Sequence, residues 1–369
     1  MISKYLILSS FTFIFTFLTN SVGHAFPEMV RHHYVNCSAC HVNANGGGVL
    51  NAYGRTISYE VLSTWGTEKE ARAFYFIDPE KVGAWLNLGG DLRAIQVHQE
   101  NSSLKRGRFF WMQGSLDVAA TIKNLTAFIT VGEVNTQTQT WSSKIPRYFV
   151  SYQVTDELSV RAGRFVPIFG LNIPQHQYYI RDHLQLAPGF ERVAADIQWN
   201  GEQFNFLLGY ATTAAESIGQ SGEKASNAQV QTTLADAYKF GLSFWSGNSN
   251  FERRSIVGVN AVLGWTEKFY TLTEFDQLTA APAGTSNETR TLIEFLKFGY
   301  EFIKGAHFQI VQELKRPDAE VTTADATSYG AGFLFFPRPH FELEGLWTKR
   351  QPSLGNREDY AYLITHYYF

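Results

Sequence analysis

Apolar and polar residues alternate with a period of two along much of the chain beyond residue 85. From Phe110 to Ile122 the even positions, including Phe110, Met112, Leu116 and Val118, are apolar or small. The odd positions include Gln113, Ser115, Asp117 and Thr121. Successive side chains of a strand point to opposite faces, so this pattern predicts a strand with one apolar and one wet face. Leu125, Ala127, Ile129 and Val131 repeat it after the turn at Lys123 and Asn124, as do Tyr148/Val150/Tyr152/Val154 and Tyr238/Phe240/Leu242/Phe244. Further along come Phe308/Ile310 and Phe341/Leu343. Around residues 270–277 neither face is clean.

The connections alternate in length. Tight turns fall at residues 123–124, 155–157, 200–202, 266–268, 304–305 and 337–339, and longer polar stretches at 135–146, 167–191, 279–289 and 316–325. Short turns on one rim and long loops on the other are the habit of outer-membrane barrels. Direct counting finds fifteen strands from about Trp85. A single-chain bacterial barrel with both ends on one side needs an even number. The turns at 200–202 and 266–268 both belong on the short-turn side, yet only three strands stand between them. A further strand is therefore expected within residues 213–237, at about 228–234. The expected fold is all-β: a transmembrane antiparallel barrel of about 16 strands over residues 85–369.

Composition agrees. The chain carries 30 Phe, 18 Tyr and 8 Trp with 30 Gly, a balance that suits a barrel with aromatic girdles and equally a large soluble β-sandwich. The start, with Lys4 before an apolar run and small residues ahead of Phe26, reads as a secretory signal peptide over residues 1–25. Its removal takes one lysine and no acid, moving the net charge from −3 to about −4. That is too mild to point to nucleic acid. The last strand ends in Phe369, which resembles the terminal signal of outer-membrane barrels.

The only two cysteines lie in Cys37-Ser38-Ala39-Cys40-His41. C-x-x-C-H is the attachment pattern of a c-type haem. Two thiols at this spacing each bond one haem vinyl, and the adjacent His41 becomes the proximal iron ligand. A thioredoxin-like dithiol would sit in a βαβ unit, and a zinc site would need further ligands at regular spacing. Neither pattern is present in the sequence. One covalent haem c on Cys37, Cys40 and His41 is the expectation.

Residues 26–84 are few to enclose a porphyrin, since short chains bury little apolar area. The segment is therefore expected to plug the lumen or cap its short-turn mouth, with the wall completing the pocket. His33 leads the candidates for the sixth iron position, ahead of His32 and Met29; an open position is the other possibility. Met112 and His98 are expected to face lipid by parity. Arg147 and Arg161 share the lumen parity and would balance acids such as Asp117, Glu342 and Glu344, or meet haem propionates. Residues 167–191, with His176, Tyr178, Tyr179, Arg181 and His183, either fold inward or form an external loop, which is slightly favoured.

Phe26-Pro27-Glu28-Met29-Val30-Arg31, the Cys37–His41 motif, Gly46-Gly47-Gly48 and Tyr53-Gly54-Arg55 together resemble the front end of monohaem outer-membrane porin–cytochrome c fusions. Their motif after the haem reads roughly Pro-Phe-Gly-Arg, and here the proline is missing. The resemblance spans about thirty residues and is only architectural over the barrel. It implies electron transfer across the bacterial outer membrane, between an extracellular donor or acceptor, iron(II) among the candidates, and a periplasmic electron carrier. Outer-membrane lipid would be the surrounding partner. A diffusion porin gated by its haem segment is the competing class, and a periplasmic haem enzyme on a soluble sandwich is a third.

Overall fold

The computed structural model describes residues 27–34, 36–43, 46–72, 85–213, 222–321 and 324–369. The signal peptide expectation lies outside the described residues. Sixteen strands form one closed antiparallel barrel, each paired with its neighbour in the chain. It runs from β1 (Leu86–Asn101) to β18 (Glu358–Tyr368), which pair with each other and close the wall. Two short strands, β4 (Glu133–Asn135) and β5 (Thr140–Ser142), make a separate hairpin, so β3 (Leu125–Val131) pairs directly with β6 (Arg147–Gln153).

Alternation builds the wall. In β8 (Arg192–Asn200) the side chains of Arg192, Ala194, Asp196 and Gln198 are buried inside, while Val193, Ile197 and Trp199 are exposed on the outer face. Closure leaves no strand edge, so every ladder group has a partner and the apolar outer face suits lipid. The expected additional strand is β10 (Lys224–Leu234), bonded on both sides by its neighbours. Both its faces carry polar residues, which is why hydropathy alone does not reveal it.

Residues 167–191 fold inward, against the external placement favoured from sequence. Phe169, Leu171, Ile173, Tyr178, Ile180, Leu184 and Leu186 are all 5% exposed or less. They pack on Ile256, Tyr270, Leu272, Ile293, Phe295 and Val311 of the inner wall. Burying a large apolar side chain is worth about 1.5–3 kcal/mol, so seven of them outweigh the solvation of an external loop. Because the segment leans on β13 (Phe269–Pro282), that strand has Tyr270 and Leu272 inside and Phe269 and Phe275 outside. This two-sided apolarity is what blurred its sequence pattern.

A second difference concerns β2 (Lys105–Ile122). Its pairing with β1 slips by one residue, with Arg93 opposite Gln113 and Ala94 opposite Trp111, leaving Met112 as a β-bulge. A bulge reverses the parity of everything beyond it. Phe109 and Trp111 therefore take the outer face, and Met112 turns into the lumen, not toward lipid.

Candidate functional site: a lumen cavity beside Cys37–His41

The described part of residues 27–72 lies against the inside of the short-turn rim. Arg31 is buried there, donating to a Glu301 carboxylate oxygen at 2.6 Å and to the Glu267 carbonyl at 2.8 Å, with its guanidinium over the Tyr270 ring. Thr64 donates its backbone N–H to the Phe336 carbonyl, and His340 hydrogen-bonds the Ala71 carbonyl at 3.0 Å. Asn43 accepts from Arg161 at 2.7 Å. These contacts tie the segment to six strands or turns of the wall.

Cys37–Ala39 form a single 3-10 turn, and the N–H groups of Cys40 and His41 both donate to the Cys37 carbonyl. The chain then folds back through Gly46, Gly47 and Gly48, all at φ between +64° and +71°. Side chains rarely adopt that conformation, so three glycines are what this turn requires. Helix Ala52–Ile57 follows, N-capped by Asn51, whose side chain accepts from Gly54 N–H at 2.8 Å. A Cβ at Gly54 would lie 2.4 Å from the Cys40 carbonyl oxygen, which is why glycine stands there. Arg55 is buried and donates to the Leu88 carbonyl on β1 at 2.5 Å.

Cys40 is 3% exposed and packs with Met29, Ile57 and Leu62. Burial pushes its thiol up to about 12 and raises that of Cys37 as well. Exchange of thiols and disulfides runs through the thiolate, so this pair is poorly suited to redox dithiol work. His41 is 7% exposed, and burial holds its imidazole down at about 4. It is therefore neutral, the form in which imidazole ligates a metal. Among the described residues no three His, Cys, Asp or Glu side chains group to hold a metal ion by themselves.

Cys37 and His41 line a lumen cavity of about 470 Å³. Its other walls come from β1, β2, β6, β18 and the infolded segment. Arg93, Arg147 and Arg181 present guanidinium groups to it. Arg93 reaches Asp91 only at 4.0 Å, and among the described residues the buried Nε of Arg147 has no hydrogen-bond partner. His366 bridges Asp91 at 2.8 Å and Glu342 at 2.9 Å on the same wall. The Cys37 thiol, a neutral imidazole and three arginines line this void, and Cys40 caps the same 3-10 turn, a donor set that fits a thioether-bound haem with anionic propionates.

Other expected site residues are dispersed. His33 is exposed, at φ 66°, and does not line the cavity. His32 faces Glu301 at 3.9 Å, and Met29 is 1% exposed in the apolar cluster behind Cys40. His98 pairs with Glu100 at 3.1 Å, outside the cavity. Arg161 is bound to Asp196, so it balances a lumen acid as expected, whereas Arg147 is the one that faces the void. Sequence reasoning missed Met112 and Arg93 as cavity residues and left His176 and Arg181 unplaced.

Comparison with solved structures settles the architecture. The anion-selective porin from Comamonas acidovorans superposes with a TM-score of 0.62 at 13% identity, over 77% of this chain and 99% of that one. The chain has the fold of an outer-membrane porin. OmpT of Vibrio cholerae matches at 0.62 and 8% identity, over 77% and 97% of the two chains. The outer-membrane channel DcaP of Acinetobacter baumannii matches at 0.56 and 12%, again over 77% and 97%. At these identities the likeness is one of fold. No family model and no curated protein matches the sequence. The porin-like barrel is consistent with the bacterial outer membrane.

Proposed function

We propose that this porin-like barrel is an outer-membrane electron-transfer protein with one covalent haem c, passing electrons between an extracellular donor or acceptor and a periplasmic carrier. The observation that carries the reading is the cavity inside the barrel with Cys37 and His41 in its wall. Cys37 and Cys40 would hold the haem by thioethers, and His41 would ligate its iron. Arg93 and Arg147 would face the propionates. When bound, the haem supplies a one-electron iron couple. The chain's part is to orient that group, exclude water and tune its potential. The infolded segment takes up part of the lumen and the described part of residues 27–72 packs at its short-turn rim, which supports a protein that holds a cofactor over one that passes solutes. Iron(II) is the donor that the front-end resemblance suggests.

The likeness to porins and a channel favours a second reading, a diffusion porin whose N-terminal segment acts as gate or redox sensor. Two measurements on the purified full chain separate them. Covalent haem that survives denaturation, reducible by an external donor, with little conductance in planar bilayers, supports the conduit. Large open-channel currents from the haem-loaded protein would overturn it. Absence of bound haem from protein matured in a host with haem-attachment machinery would leave the porin reading alone.

A further inference from the structure

We propose that His176, on the infolded segment, is the sixth-position ligand of the haem iron; this rests on the haem reading above. Three imidazoles line the cavity: His41, His176 and His366. His41 belongs to the attachment motif. Both ring nitrogens of His366 are engaged by carboxylates, at 2.8 and 2.9 Å, so neither is open toward the void. His176 is half-buried and makes no hydrogen bond to any described residue. Its imidazole, lining the cavity and engaged by no described group, is available to a ligand there.

The segment around it is also fixed. On one side Gln175 donates to Glu344 at 3.1 Å. On the other, Tyr179 N–H donates to Glu313 at 2.7 Å and the Tyr178 ring packs 4.8 Å from Phe295. A ligand held by flanking tethers loses little entropy on binding iron, as a preorganised site requires. Met112 is the competing ligand, since the bulge brings it to the same cavity. Its thioether, however, packs on the apolar core and has no unmet polar group.

The test uses the full chain purified with haem, examined oxidised by electron paramagnetic resonance and near-infrared magnetic circular dichroism. The wild type is expected to be low-spin with two imidazole ligands. His176→Ala should convert it to a high-spin or water-ligated form, with added imidazole restoring the low-spin signal. His176→Met should keep a six-coordinate iron and raise the midpoint potential. Heat-modifiable migration on gels checks that each variant barrel is folded. A low-spin spectrum unchanged in His176→Ala overturns the inference. So does a methionine-to-iron charge-transfer band in the wild type that Met112→Leu removes. Failure of the wild type to bind haem at all overturns the haem reading itself, an outcome distinct from both.

Discussion

Two stretches of the lumen wall bury charge in different ways. Around β8 and β12 (Glu252–Gly264) the buried guanidinium groups of Arg161, Arg192 and Arg254 each meet a carboxylate. Arg161 bonds Asp196 at 2.5 Å and stacks over Phe165, while Arg192 and Arg254 share Glu223 at 2.5 and 2.7 Å and flank Trp245. On the neighbouring stretch around β1, β2 and β6, among the described residues Arg147 makes no ion pair within 4.0 Å, Arg93 only a distant one, and the ring of His176 no hydrogen bond. A buried cation without a close anion is expensive. The first stretch is therefore complete as protein, whereas on the proposed haem reading the second would be completed by anionic propionates.

The strongest way to break this contrast is to remove a charge from each side. Glu223→Ala would leave two buried cations without their carboxylate, and Arg161→Met would strand Asp196; each is expected to cost about 3–5 kcal/mol. Arg147→Met removes a cation whose compensation is poor, so it should change the stability of the haem-free barrel by less than about 1 kcal/mol, or raise it. Urea unfolding followed by heat-modifiable migration reads all three. Equal losses from Arg161→Met and Arg147→Met would erase the distinction. In the haem-loaded protein, Arg147→Met should lower the midpoint potential, because a nearby cation favours the reduced iron.

A smaller effect is expected where the cofactor motif meets its supporting helix. A methyl group at position 54 would fall 2.4 Å from the Cys40 carbonyl oxygen, which is backbone and cannot swing aside. Gly54→Ala should cost the segment about 1–3 kcal/mol through overpacking. The barrel itself should fold as before. The expected result is a reduced yield of covalently attached haem per folded barrel, measured by haem stain against total protein. Full haem yield would show that the helix does not need to rest on Cys40.

How much of this could be read in advance follows from where the physics is local. Strand alternation and turn length depend on residues close in the chain, so the closed sixteen-strand wall was predictable, and the even-number requirement located Lys224–Leu234 despite its mixed faces. Cys37, Cys40 and His41 were singled out by spacing, and the structure brings Cys37 and His41 to the lumen cavity. Met112 did not, because a single inserted residue in β2 reverses its facing and no residue type announces the slip. The inward fold of residues 167–191 was hidden for a different reason. Its apolar residues follow neither period, since they answer to wall positions such as Ile256 and Phe295 far away in sequence. The weak signal was their number: seven large apolar side chains are too many for an exposed loop.

The contrast between finished and receptive surfaces extends to the seam where residues 58–72 meet the short-turn rim. There His340 is buried at φ 65°, hydrogen-bonded to the Ala71 carbonyl, with its own N–H donating to Ser58 Oγ at 3.3 Å. Burial lowers its imidazole from 6.5 to about 4, with the Ala71 bond opposing that shift. A histidine with a depressed folded pKa binds fewer protons when folded than unfolded. Its contribution is therefore complete above about pH 6.5 and is lost as the pH falls toward 4. At pH 5.5 the loss amounts to about 1.4 kcal/mol, a tenfold change in the local opening equilibrium. Hydrogen exchange of residues 58–72, corrected for intrinsic rates, should accelerate about tenfold between pH 7.5 and 5.5. His340→Gln, which can still donate to Ala71 but does not titrate, should abolish that dependence. Exchange that accelerates equally in the variant would assign the seam's acid response to another group and leave His340 a packing residue.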